Sequence, residues 1–199
     1  MSLPLPVVLA SGSPRRRELL SQVLEEFEIV VSDVPEHVLP GEHPRDTAER
    51  LASSKARAVA AARPSALVIG ADTVVALPNG SGWTQFAKPE GASEACAMLR
   101  SLSGARHSVI TGVAVISPFG EWVGSAETRV TFRDLLDAEI ERYVETGEPM
   151  DKAGAYAIQG GAASFVAGVD GSISNVVGLP MELLSDYMLS LKENGAAPI

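Results

Sequence analysis

Between a short apolar run, Val7 to Ala10, and a segment in which Leu19, Leu20, Val23, Leu24 and Phe27 recur at helical spacing lies Ser11-Gly-Ser-Pro-Arg-Arg-Arg17, with two hydroxyls and three guanidinium groups. Strand, tight loop and helix in that order leave free backbone N–H groups and the positive end of a helix dipole at the loop, the arrangement that receives phosphates. Ser13 suits the N-cap and Pro14 the first helical position. The plainer alternative is a well-capped helix with a solvated basic first turn. Cations at a helix N-terminus oppose the dipole, however, and a bound anion accounts for them. The loop is neither a Walker A loop nor a nucleophile elbow, because the residue spacings of both are missing.

Asp72 stands inside Leu67-Val-Ile-Gly-Ala-Asp-Thr-Val-Val-Ala-Leu77, apolar on both strand faces. A lone buried carboxylate is costly, so Asp72 requires a cation, a metal or a catalytic task, unless the strand stops at Gly70 and Asp72 caps a turn. Val74 and Val75 continue the strand pattern and weigh against the turn. Lys55 falls in the middle of the stripe Ala48, Leu51, Ala52 and Val59 on a helix entered near Pro44, which makes it a core-facing lysine or one that snorkels to water. The chain has twelve arginines and only four lysines, at positions 55, 88, 152 and 192, and a compact ammonium reaches phosphate oxygens that a planar guanidinium cannot. In Asp151-Lys-Ala-Gly-Ala-Tyr-Ala-Ile-Gln-Gly-Gly161, small residues allow close backbone approach and Gln159 offers a donor and an acceptor for a base edge. Taken alone, that segment reads better as a tight packing crossover with Tyr156 in the core.

These groups sit on a chain of 199 residues with 16 basic and 25 acidic side chains and a formal charge of −9, which opposes non-specific binding to nucleic acid or an anionic membrane. Phosphate must therefore be handled locally. One cysteine, Cys96, excludes an intrachain disulfide and a cysteine-built zinc site, and His37, His43 and His107 fall in no ligand spacing, so a metal would sit on oxygens. Cys96 itself reads as a small helical core residue. No leader pattern opens the chain and no apolar run has spanning length, so a cytoplasmic protein without membrane contact is expected.

The elements that position the groups read as an α/β domain. Strands are predicted over Phe27 to Val31, Ala66 to Leu77 and Phe165 to Val169, with a long hairpin from Val109 to Ile116 and Glu121 to Phe132. Helices are predicted from Pro44 to about Arg63, Ala92 to Leu102, Asp137 to Thr146, and Pro180 to near Asn194, with turns at Pro78 to Gly82 and Gly104.

Leu9-Ala-Ser-Gly-Ser-Pro-Arg-Arg-Arg-Glu-Leu-Leu20, Ile69-Gly-Ala-Asp-Thr-Val-Val75, Lys88-Pro89, Leu102-Ser-Gly104, Thr128 to Phe132, Glu148-Pro-Met-Asp-Lys-Ala-Gly-Ala-Tyr156, Ile158-Gln-Gly160 and Val177-Gly-Leu-Pro180 together resemble the Maf family of nucleoside triphosphate pyrophosphatases. The resemblance runs from Leu9 to the last helix. It implies one two-lobed domain over 1–199, a mixed twisted sheet with flanking helices around a cleft, similar to inosine triphosphate pyrophosphatases. It further implies a divalent metal, Mg or Mn, and a homodimer. Position by position, it implies Asp72 as proton acceptor, Asp72 and Glu36 as the metal's carboxylates, and Lys55 and Lys88 as catalytic cleft lysines. Ser11, Ser13, Arg15 and Arg16 fall in its triphosphate loop, and Arg15, Thr73 and Gln159 at positions tied to substrate choice. Arg, Thr and Gln there resemble the branch acting on dTTP and UTP rather than the one preferring 7-methyl-GTP. Pro35 before Glu36, Ala87 and Ala157 in place of glycine, and a longer connection before Lys88 depart from the family pattern. The implied activity is hydrolysis of a nucleoside triphosphate to the monophosphate and pyrophosphate, which sanitises nucleotide pools; a nucleotide-binding regulator of cell division is the alternative that the same residues allow.

Overall fold

The longest apolar run forms the spine of the sheet. In the computed structural model, which describes residues 5–80 and 82–193, β3 spans Leu67–Asn79 and carries partners along both edges. One edge is covered by β5 (Arg106–Ser117), antiparallel from Val68↔Ile116 to Ala76↔Ser108. The other edge is shared. β1 (Val7–Leu9) runs parallel to its first residues as far as Leu9↔Ile69, and β4 (Gly82–Phe86) runs antiparallel to its last, from Val75↔Phe86 onward. Gly70 to Val74 therefore face a gap in the sheet. β2 (Glu28–Ile29) lies parallel outside β1, while β6 (Gly120–Phe132) and β7 (Val166–Asp170) extend the sheet antiparallel beyond β5. This is the mixed sheet with flanking helices that the sequence implies.

Alternation along β3 and β5 decides what covers each face. Val68, Val74 and Ala114 point toward α2 (Pro44–Ala60), which buries Ala48, Ala52, Ala56 and Val59 against them. The approach is close because the sheet has no side chain at two crossing points: a Cβ on Gly70 would land on the Ala52 carbonyl oxygen, and one on Gly112 on the Ala48 backbone. On the opposite face two separate clusters form. Near the β1 end, Ile69, Ala71, Val113 and Val115 pack with Leu20 of α1 (Pro14–Ser21) and with Leu184 and Met188 of α6 (Met181–Glu193). Near the β4 end, Val75 and Val109 pack with Leu99 and Leu102 of α3 (Ala92–Leu102) and Ile140 of α4 (Asp137–Glu145). Between the two clusters sits the cross-strand pair Thr73↔Thr111, polar where its neighbours are apolar.

Several expectations shift, among them the strand predicted over Phe27 to Val31, which shortens to Glu28–Ile29. The first helix stops at Ser21, although Leu24 stays in the core and Phe27 packs against it, because the chain must turn back to lay Glu28 and Ile29 beside β1. The turn expected from Pro78 to Gly82 is narrower, since Pro78 and Asn79 remain in β3 and Gly82 already begins β4, whose polar, edge-lying residues hide the strand pattern. Phe165 to Val169 is displaced by one residue, and α5 (Ile173–Val177) lies where no helix is predicted. Cys96 is only half-buried, packed beside the α3–α4 cluster rather than within it. The remaining helix ends fall within a few residues of their predicted positions, and Asn194 lies outside the described residues.

Candidate active site

The gap along β3 opens into a cleft of about 570 Å³ that is lined by Ser11, Ser13, Arg15, Arg16, Glu36, Lys55, Asp72, Thr73, Lys88 and Gln159, which brings these candidate site residues together, whereas Arg17, the third arginine of the loop, is not among its lining residues. That volume falls in the range of small-ligand sites, roughly 300–1,000 Å³. Five cationic side chains (Arg15, Arg16, Lys55, Lys88, Lys152) stand against three carboxylates (Glu36, Asp72, Asp151), which makes the cleft locally basic in an acidic protein.

Asp72 lies on the α2 side of β3, and the helix delivers Lys55 to it. Lys55 and Asp72 are 6% and 7% exposed, and Lys55 Nζ is 2.5 Å from Asp72 Oδ1 and 2.5 Å from Glu36 Oε1. The core-facing lysine is thus a buried ion-pair partner. Glu36, on the irregular segment after β2, bridges onward to Lys88 Nζ at 2.8 Å. Burial pushes the Glu36 carboxyl up, but the hydrogen bonds from Lys55 and Lys88 outweigh it and hold the group down at about 2. Glu36 is therefore an anion at neutral pH and no source of protons. The segment that carries it is tied to α2 from outside the cleft. Glu42 accepts from Thr47 Oγ1 at 2.9 Å and from Arg50 Nε at 2.6 Å, while Arg50 also donates to the His37 carbonyl at 2.9 Å.

The loop after β1 supplies the opposite wall. Ser13 caps α1, its Oγ accepting from Arg16 N at 3.4 Å, with Pro14 in the first turn as expected. Ser11 is buried and its Oγ accepts from Ser13 N and from an Arg16 Nη, leaving its own proton for a ligand. The arginines divide their roles. Arg16 is anchored to the protein, donating to the Gly178 carbonyl at 2.8 Å and to Thr73 Oγ1 at 3.1 Å. Arg15 lines the cleft without a hydrogen bond or ion pair among the described residues, and the exposed Gln159 amide is equally uncommitted.

Several cleft groups escaped selection in the sequence. Lys152 is 9% exposed and donates to the Glu148 carbonyl at 2.7 Å and to Asp151 Oδ1 at 2.5 Å. Its signals are membership of a set of four lysines, three of which line the cleft, and its place in the small-residue segment Asp151 to Gly161. Tyr156 is in the core as expected but also lines the cleft, with its hydroxyl 2.9 Å from His107 Nε2 and its ionisation pushed up by burial. Gln85 and Phe86 reach the cleft from the unpredicted β4.

The mixed sheet with flanking helices defines an α/β protein whose fold is similar to that of Ham1 proteins. The Ham1 protein of Staphylococcus aureus aligns with a TM-score of 0.53 at 16% identity, covering 95% of this chain and 99% of that one, a likeness of fold alone. Over residues 6–191 the chain matches the Maf-like protein family, and it belongs to that family. Two relatives named dTTP/UTP pyrophosphatase are similar along most of their length. The Anaeromyxobacter dehalogenans (strain 2CP-1) protein is 54% identical over 179 residues, 88% of this chain and 88% of its own, and the Geobacter sulfurreducens protein is 50% identical over 183 residues, 90% and 94%. Among the described residues no helix is long and apolar enough to cross a membrane.

Proposed function

We infer that this protein hydrolyses nucleoside triphosphates, dTTP and UTP before others, to the nucleoside monophosphate and pyrophosphate. The observation that carries the reading is the convergence of Asp72, Glu36, Lys55 and Lys88 with the Ser11–Arg16 loop on one basic cleft, in a member of a family whose similar relatives bear that name. A triphosphate brings several negative charges, and the uncommitted Arg15, the Ser11 hydroxyl and the N-terminus of α1 offer donors to its oxygens. Lys55 and Lys88 stand where charge develops on the leaving pyrophosphate. Asp72, a carboxylate at the gap in β3, orients a water and accepts its proton as the water attacks the α-phosphorus. The single domain over 1–199, its place in the cytoplasm and its task of cleansing nucleotide pools belong to the same reading.

A divalent cation fits this donor set. Asp72 and Glu36 are hard oxygen donors drawn together by a single ammonium, and no group of three or more His, Cys, Asp or Glu side chains that could hold a metal occurs among the described residues. Two carboxylates completed by phosphate oxygens and water suit Mg²⁺ or Mn²⁺ better than a metal caged by protein alone. When bound, the ion supplies Lewis-acid polarisation of the phosphoryl group and a more acidic water.

Base choice falls to Gln159, whose amide can donate to a ring carbonyl of uracil or thymine and accept from N3–H, a pattern that cytosine does not match. Steady-state kcat/KM across dTTP, UTP, CTP, ATP, GTP and 7-methyl-GTP tests this. The expected outcome is a clear preference for dTTP and UTP; equal values for 7-methyl-GTP and dTTP would overturn the substrate reading while leaving the chemistry standing.

A further inference from the structure

Thr73 and Thr111 face each other across β3 and β5 in the polar band that separates the two apolar clusters. Thr111 is fully buried, and its Oγ1 is in contact with two oxygens: the Asn175 carbonyl at 2.8 Å and Thr73 Oγ1 at 2.9 Å. Each contact is short enough to require a proton between the oxygens. The two hydroxyls bring two protons, and a carbonyl brings none. One assignment satisfies both contacts: Thr111 donates to Asn175, and Thr73 donates to Thr111. Thr73 also receives an N–H from Arg16 at 3.1 Å, and a guanidinium has no acceptor to offer in return.

Asn175 is held in place to enforce this direction. Its buried amide donates to the Val109 carbonyl at 2.9 Å and to Thr128 Oγ1 at 3.0 Å, while Arg16 ties the end of α5 through the Gly178 carbonyl. The ring from Arg16 through Thr73, Thr111 and Asn175 back to Gly178 is closed. The consequence at the cleft is chemical: Thr73 has spent its proton and presents only a lone pair.

Resting on the pyrimidine reading above, we propose that Thr111 is a positioning residue for base selection, which fixes Thr73 as an acceptor and so matches it to the N3–H of uracil or thymine. A lone pair repels phosphate and carbonyl oxygens, and it repels N3 of cytosine, which carries no proton. Thr73 then takes N3–H in place of the Gln159 amide oxygen, and the Gln159 amide N–H is left to donate to a ring carbonyl. Removing the Thr111 hydroxyl frees the Thr73 proton to turn into the cleft, where it can donate to N3 of cytosine.

The test is the ratio of kcat/KM for UTP to that for CTP, which share a sugar and a triphosphate. Thr111→Val, which keeps shape and leaves the Asn175 carbonyl its bond from Gly178 N at 3.1 Å, is expected to lower this ratio at least about tenfold, and Thr111→Ser to restore it. Thr73→Val, with Thr111 intact, removes the acceptor and lowers the ratio through UTP alone; this variant carries the test if Thr111→Val does not fold. A ratio that is high in the wild type and unchanged in both valine variants overturns the assignment of Thr111 and Thr73. A wild type that turns over UTP and CTP equally overturns the pyrimidine reading itself.

Discussion

Asp72→Asn is expected to lower kcat for dTTP by at least roughly 10²-fold, the range for loss of general-base or metal assistance. The substitution keeps the shape of the side chain. An asparagine oxygen can still accept from Lys55 Nζ, now 2.5 Å from Asp72 Oδ1, so the buried contact survives as a neutral–cation hydrogen bond. What disappears is the negative charge that, in the proposed mechanism, draws a proton from the attacking water and holds a cation. KM should move far less than kcat, because the proposed binding of the distal phosphates by the loop after β1 is left untouched. A folded Asp72→Asn protein with near wild-type kcat would remove Asp72 from the chemistry.

The second large effect concerns stability. Lys55 neutralises two carboxylates at once, and both it and Asp72 are buried. Replacing the ammonium by a methionine of similar length leaves Asp72 as a buried anion beside Glu36, a change that costs about 3–5 kcal/mol when a buried pair loses one partner. Neutralising the orphan should recover most of the loss, so the double variant Lys55→Met with Asp72→Asn is expected to unfold at higher urea than Lys55→Met alone. Urea midpoints at neutral pH decide the matter. Additive effects in the double variant would mean that the pair is not coupled, and the buried bridge would lose its place in the account. Activity of Lys55→Met is expected to fall with that of Asp72→Asn.

The parts of this site that rest on a local conflict were legible from residue order. Asp72 broke an apolar strand and Lys55 broke an apolar helical stripe, and each proved to be the other's partner. The capped loop at Ser13 was equally plain, because N-cap, proline and arginines are adjacent in sequence. Glu36 was not visible that way. It sits in an irregular segment without periodicity, and only resemblance to a family pointed to it. Arg16 belongs to the loop that the resemblance assigns to the triphosphate, and the anchoring of its guanidinium on Gly178, 162 residues away, is a second role that residue order does not show. No spacing rule reaches across such a separation. The same holds for Thr111 and Asn175, each unremarkable in its own segment and meaningful only once the sheet register and the short helix α5 bring them together. In the fold, long strands with β-branched runs are predictable, whereas β4 is not, since it is a short strand with polar Thr84 and Gln85 at a sheet edge.

The central claim is attack at the α-phosphorus of a nucleoside triphosphate, and the most direct measurement is turnover of dTTP in water enriched in oxygen-18, followed by phosphorus NMR and mass analysis of the products. The expected result is dTMP carrying the heavy oxygen, together with unlabelled pyrophosphate. Labelled orthophosphate with dTDP, or labelled pyrophosphate, would place the attack elsewhere and contradict the roles given to Asp72, Lys55 and Lys88.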